Sequence, residues 1–371
     1  MPLTANPSFS TITLSRQTQA IIHADAIINN FEYLNGLAPE SQSMVVIKAD
    51  AYGHGAVNIA QILKGIAPAF AVAITEEAIK LRQAGIDAPL VVLEGPHQQE
   101  ECVQARDENL ILVVHDSQQL DWIRNMTPER PPVIWLKIDT GMHRLGMTPA
   151  DAARALHQYR DILTTDCVLL THMACADDLE NTATRQQLET FNALAASAGL
   201  GVSIANSPAT LGWPDTHGTW NRIGLGVFGS NPIHAADYQA RLQPAMTLSA
   251  SVIALREVKA GDAVGYGEYW RARQDSLIAT VGVGYADGYP RHCPNGTPVI
   301  IRGQRAPLAG RVSMDMLTVD VTDIAGIQVG DMVELWGEQL RIEEVAACAN
   351  TISYELMTRV SPRVPRIVRH R

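Results

Sequence analysis

The sequence predicts an α/β fold, a (β/α)8 TIM barrel followed by a mostly β C-terminal domain, and three observations carry that prediction. Eight short runs rich in Val, Ile and Leu recur between residues 44 and 228, each followed by a polar stretch at helical spacing. Beyond about Leu242 the helical stretches give way to longer β-type runs joined by Gly-Asp turns. The chain has 371 residues, 46% hydrophobic and 18% charged, which suffices for two cored domains and excludes general disorder.

In chain order the barrel runs are 44–48, 69–74, 90–94, 110–115, 133–139, 167–173, 202–205 and 223–228. Their spacing of about 15 to 30 residues suits parallel strands that return through helices. Local signals agree: Thr75-Glu76-Glu77 opens a helix with a capping residue and first-turn acids, and Gly85 closes it ahead of Pro89. A ninth run, 20–24, exceeds what a barrel needs, so it belongs to another sheet or one of the eight is not a strand. The later runs are 246–258, 276–285, 297–302, 316–322 and 332–336, with turns at 259–262 and 329–331 and hardly any long helical pattern between them. The expected division is a barrel over 24–244 and a β-rich domain over 245–371, joined by the N-terminal strand within 1–23.

Composition narrows the function classes. With 29 Lys+Arg against 39 Asp+Glu the formal charge is −10, and no basic block offers the footprint that nucleic acid or an anionic membrane requires. No stretch approaches the length of apolar residues that a membrane span needs, and residues 1–14 lack a signal-like pattern. Cys102, Cys167, Cys175, Cys293 and Cys348 are odd in number and widely spaced, the usage of a reducing compartment. A cytoplasmic protein with a small-molecule substrate is expected.

A parallel barrel builds its site at the C-terminal ends of its strands. The first run ends in Lys48, where desolvation lowers an amine's pKa and makes it nucleophilic toward an aldehyde. The alternative is a lysine that snorkels to solvent. Ser207 follows the seventh run, and Gly224 and Gly226 at the eighth free backbone N–H groups beside it, the region where barrel enzymes often seat a phosphate. Singly, a Ser-Pro loop is a turn and a Gly-x-Gly is backbone packing. A reactive lysine with a phosphate cradle across the barrel describes a pyridoxal phosphate site.

The stretches 46–55 (Val-Ile-Lys-Ala-Asp-Ala-Tyr-Gly-His-Gly), 137–144 (Lys-Ile-Asp-Thr-Gly-Met-His-Arg), 205–207 (Ala-Asn-Ser), 264–267 (Val-Gly-Tyr-Gly), 284–291 (Gly-Tyr-Ala-Asp-Gly-Tyr-Pro-Arg) and 310–315 (Gly-Arg-Val-Ser-Met-Asp) resemble alanine racemase, a pyridoxal 5'-phosphate enzyme that interconverts L- and D-alanine. The resemblance runs from about residue 45 to the Arg363-Val364-Pro365-Arg366 stretch. It implies that Lys48 holds the cofactor covalently and serves as one acid/base, with Tyr266 as the other. Two groups on opposite faces are the direct way to remove and return a Cα proton with inversion. His172 would stack on the cofactor ring and bond to the tyrosine, and Arg222 would face the pyridine nitrogen. Tyr52, Ser207, Gly224 and Leu225 would hold phosphate, while Arg144 and the Met314 N–H would hold the substrate carboxylate. Lys137 matches a position that is carbamylated in many members, and Tyr285, Arg291 and Arg311 match an entrance built by the partner of a homodimer with shared sites. His54 is a loop histidine with no assigned role.

Two positions depart from relatives. Ser361-Pro362 stands where some have a tyrosine ahead of Arg-Val-Pro-Arg, and Ser203 stands where some have a histidine that supports the arginine at 222. Competing functions are a broad-specificity racemase, separable by assaying a panel of amino acids, and a non-enzymatic carrier of pyridoxal phosphate, which needs no second domain.

Overall fold

Parallel strands covered on both faces are apolar throughout rather than alternating, and most strands of the first unit read that way. A computed structural model describes residues 16–233 and 241–370. After β1 (Gln19–His23) come eight parallel strands: β2 (Gln42–Val46), β3 (Phe70–Val72), β4 (Leu90–Val92), β5 (Leu110–Val114), β6 (Val133–Lys137), β7 (Val168–Leu170), β8 (Gly201–Ser203) and β9 (Trp220–Ile223). They pair in the order β8-β7-β6-β5-β4-β3-β2-β9. At the seam between β8 and β9, the Arg222 N–H donates to the Ala205 carbonyl (2.9 Å) and the Val202 N–H to Thr219 Oγ1 (3.0 Å). The result is a nearly closed TIM-like barrel.

The eighth strand differs from the sequence expectation. It ends at Ile223, and residues 224–229 form successive tight turns, with Val227, Phe228 and Gly229 N–H groups bonded to the carbonyls of Gly224, Leu225 and Gly226. Leu225, Val227 and Phe228 are apolar because they are buried beneath the barrel mouth, not because they pair in a sheet. Conversely, Asn221 and Arg222 disguise β9 as a polar segment although both are buried.

β1 lies outside the barrel. It pairs antiparallel with β10 (Met246–Val258) and parallel with β18 (Arg366–Arg369) in a second, mostly antiparallel sheet. The intervening strands are β11 (Ala263–Val264), β12 (Trp270–Arg271), β13 (Ser276–Val281), β14 (Pro298–Ile301), β15 (Gln304–Pro307), β16 (Leu317–Asp320) and β17 (Met332–Trp336). β10 is the spine: its first half pairs with β1 and β17, a register shift between Val252 and Ala254 turns the strand, and its second half pairs with β13. Two short helices, Ile342–Cys348 and Ser353–Thr358, are additions that the β-rich texture did not announce. They matter to function because they bring β-domain residues to the barrel mouth. One continuous apolar core runs from the barrel into the second sheet. Among the described residues no helix is long and apolar enough to cross a membrane.

Candidate active site

β2 stops at Val46, and Lys48 opens a turn over Lys48–Tyr52 whose backbone is left-handed from Ala49 onward. Ala49, Asp50, Ala51 and Tyr52 have φ of 52°, 53°, 53° and 52°. For L-residues this conformation costs about 1–2 kcal/mol each, so neighbours must hold it. The Ala49 N–H donates to Glu77 Oε1 (2.7 Å), whose second oxygen accepts from Ala73 N–H (2.8 Å). Asp50 accepts from the Ala56 N–H (2.8 Å), and Arg366 Nε donates to the Gly53 carbonyl (2.9 Å). The turn projects Lys48 at the barrel mouth. Burial depresses its pKa, Arg144 and Arg222 push the same way, and Glu94 and Glu77 oppose them.

Across the mouth, Arg222 is buried and held by acceptors alone. One terminal nitrogen donates to the Ser203 carbonyl (2.9 Å) and hydroxyl (2.8 Å), the other to the carbonyls of Thr171 (2.7 Å) and Ile204 (3.1 Å) and to His172 Nδ1 (3.3 Å). Burial lowers its pKa to about 10, still far on the charged side of neutrality. Since a guanidinium only donates, His172 must accept at Nδ1. Burial, then Arg222, Lys137 and Arg144, push the pKa of His172 well below its usual value, leaving a neutral ring. Lys137, the last residue of β6, is also buried, and burial followed by Arg222, Arg144 and Lys48 brings its pKa down to about 8. A site with four cationic side chains demands anions.

The opposite wall supplies small polar groups. Ser207 Oγ accepts from the N–H groups of Gly224 (2.8 Å) and Gly226 (3.3 Å). A Cβ on Gly224 would sit 2.7 Å from the Tyr52 hydroxyl, so only glycine lets these elements converge. The Tyr354 ring, carried by the second short helix, lies 5.9 Å from that of Tyr52. These walls enclose an open cavity of roughly 1650 Å³ lined by Lys48, Tyr52, Lys137, Arg144, His172, Ser207, Arg222, Gly224 and Leu225. A lysine amine at one side, donors for a phosphate at the other and cations between them fit pyridoxal phosphate together with a carboxylate substrate.

Five residues named from the sequence lie elsewhere. Tyr266 sits between β11 and β12 and is 71% exposed. Arg311 stacks its guanidinium on Tyr269 at 4.9 Å, close to the Gly265 turn. The Tyr285 and Ala286 N–H groups donate to the carbonyls of Ser313 (3.0 Å) and Met314 (2.9 Å), so the Tyr285 and Met314 loops are one unit. Met314 and Arg291 are exposed too. None of the five lines the cavity of its own chain.

Sequence reasoning missed Tyr354, Glu77 and the full burial of His54. Tyr354 stands on a six-residue helix inside a β-rich stretch, where nothing local marks it as a site residue. The two departures acquire a physical meaning. Ser203 itself provides two acceptors to Arg222, and Ser361 serves the fold through its carbonyl, which accepts from Arg366 (2.7 Å).

Comparison with known proteins finds two family models that match successive parts of the chain. Residues 22–232 match the family model "Alanine racemase, N-terminal domain" and residues 245–368 the model "Alanine racemase, C-terminal domain". An alanine racemase of Alteromonas mediterranea is 57% identical over 357 residues, covering 96% of this chain and all of that one. Among solved structures, the biosynthetic alanine racemase from Pseudomonas aeruginosa superposes with a TM-score of 0.92 at 42% identity, over 96% of this chain and 100% of that chain. The alanine racemase from Bartonella henselae, solved with covalently bound pyridoxal phosphate, gives 0.88 at 30% identity over 95% and 99% of the two chains.

Proposed function

The chain belongs to the alanine racemase family, and from that premise we propose how its residues interconvert L- and D-alanine. The observation that carries the reading is the cavity itself, with a pKa-depressed lysine amine facing a wall of hydroxyl and N–H groups. Pyridoxal phosphate bound there supplies an electron sink that acidifies the substrate Cα–H. Lys48 holds the cofactor through its amine, and Tyr52, Ser207 and the Gly224 and Leu225 N–H groups hold its phosphate. Tyr354, beside Tyr52, takes the place of the contact that Ser361-Pro362 lacks.

Arg222 would face the ring nitrogen of the bound cofactor. A guanidinium has no lone pair to accept with, so it would favour an unprotonated nitrogen there, and the cofactor would then supply a weaker electron sink that restrains side reactions. Arg144 and the N–H of the partner subunit's Met314 orient the substrate carboxylate. Lys48 and Tyr266 exchange the Cα proton from opposite faces, with the neutral His172 as hydrogen-bond partner of the tyrosine.

The exposure of Tyr266 and its absence from its own chain's cavity support a homodimer in which each β domain covers the partner's barrel, with Tyr285, Arg291 and Arg311 at the shared entrance. Lys137, buried among cations, is carbamylated, and the resulting anion fixes Arg144. The test is racemisation of a panel of L-amino acids with added cofactor, followed by borohydride reduction and peptide mapping. Alanine should turn over fastest and label should fall on Lys48. A protein that labels at another lysine, or racemises larger amino acids equally well, overturns the assignment.

A further inference from the structure

We propose that His54 is a positioning residue of the cofactor site, locking the left-handed Lys48–Tyr52 turn onto the wall that starts at Gly224. The proposal rests on the reading of Lys48 and Tyr52 as cofactor ligands. His54 is fully buried, so it reaches neither the cavity nor solvent. Its Nδ1 lies 3.0 Å from both the Ala51 and the Tyr52 carbonyls. Carbonyls only accept, so Nδ1 carries the proton, and among the described residues the buried Nε2 has no hydrogen-bond partner.

The two carbonyls belong to the last two left-handed residues of the turn. A right-handed or extended backbone at either residue would swing its carbonyl away from the imidazole. The ring also stacks on Phe228, with centroids 4.5 Å apart and planes 27° from parallel, and Tyr52 meets the same Phe228 at 5.0 Å. Phe228 lies within the run of tight turns that begins at Gly224. One side chain therefore fixes the stretch between Lys48 and Tyr52 by hydrogen bonds and ties it by stacking to the loop of Gly224 and Leu225. Burial pushes its pKa down to about 4, so at neutral pH it remains a donor at Nδ1 and exchanges no proton with the site.

Three substitutions separate this role from general support of the fold. Asparagine places an N–H donor where Nδ1 stands, glutamine places its amide where Nε2 stands, and phenylalanine keeps the stacked ring without any donor. The measurements are the affinity of apoprotein for pyridoxal 5'-phosphate, amide hydrogen exchange of residues 49–55 in apoprotein, and kcat and KM for alanine. His54→Phe and His54→Gln should each lose at least about tenfold in cofactor affinity and kcat and speed exchange in 49–55 by about tenfold. KM should change less than about twofold. His54→Asn keeps the donor but loses the stacked ring, so its exchange in 49–55 should stay within about threefold of the native protein, while its cofactor affinity and kcat fall less than in the other two variants. If His54→Phe fails to fold, the glutamine and asparagine pair decides alone. Equal behaviour of those two, whether both near native or both impaired, overturns the proposal. Borohydride labelling of the native protein is the control: absence of label on Lys48 defeats the cofactor reading, whereas label on Lys48 with unaltered variants defeats only the role of His54.

Discussion

Carbamylation of Lys137 is the prediction on which the electrostatics of the site bear most strongly. A lysine reacts with carbon dioxide only as the neutral amine, adding to the carbon and releasing a proton. Lowering the pKa from 10.5 to about 8 raises the neutral fraction at pH 7 roughly 300-fold, to about a tenth of the molecules. The product is an anion in a pocket that otherwise sets Lys137 against Arg222, Arg144 and Lys48, so repulsion becomes attraction. The sign with pH follows: each unit below about 8 cuts the neutral amine about tenfold, and the adduct should disappear toward pH 6. The assay is carbon-13 NMR of protein equilibrated with labelled bicarbonate at pH 8 and pH 6, alongside Lys137→Ala. One protein-bound carbamate resonance should appear at pH 8 in the native chain, fade at pH 6 and be missing from the variant. The same resonance in Lys137→Ala, or none at saturating bicarbonate and pH 8, refutes the reasoning.

Gly224→Ala should lower cofactor affinity at least about tenfold, because its Cβ meets the Tyr52 hydroxyl at 2.7 Å, and adding Tyr52→Phe should relieve part of the clash; equilibrium dialysis of apoprotein checks both. Tyr354→Phe removes one hydrogen bond of about 1 kcal/mol and should weaken cofactor binding about fivefold in the same assay. Arg222→Glu strips the donors from Ser203, Thr171 and Ile204, and should reduce racemisation at least about a hundredfold while increasing the share of turnovers that end in pyruvate, measured by chromatography of the products.

The barrel was legible because strands buried on both faces leave uninterrupted apolar runs at regular spacing, as at 90–93 and 110–114. The same logic misplaced the last strand. β9 carries the buried polar pair Asn221 and Arg222, whereas the apolar stretch after it is a buried loop. Hydrophobicity reports burial, and only pairing makes a strand. Lys48, Ser207 and Gly224 could be picked out because a barrel's strand ends converge by topology. Tyr354 and His54 could not, since their positions follow from a short helix and from a left-handed backbone run that four non-glycine residues conceal. The distance of Tyr266 from the cavity depends on how the β domain folds onto the barrel, which no local pattern encodes.

In the proposed dimer, one catalytic site combines Lys48 of one chain with Tyr266 of another. Co-expressing Lys48→Ala and Tyr266→Phe chains with different tags yields hybrid dimers that carry one doubly damaged site and one site with both native residues. Racemase activity of the purified hybrid is the deciding measurement. The account predicts about half the native rate, against less than about one hundredth for either variant homodimer. A hybrid as inactive as its parents would contradict it and require Tyr266 to act within its own chain.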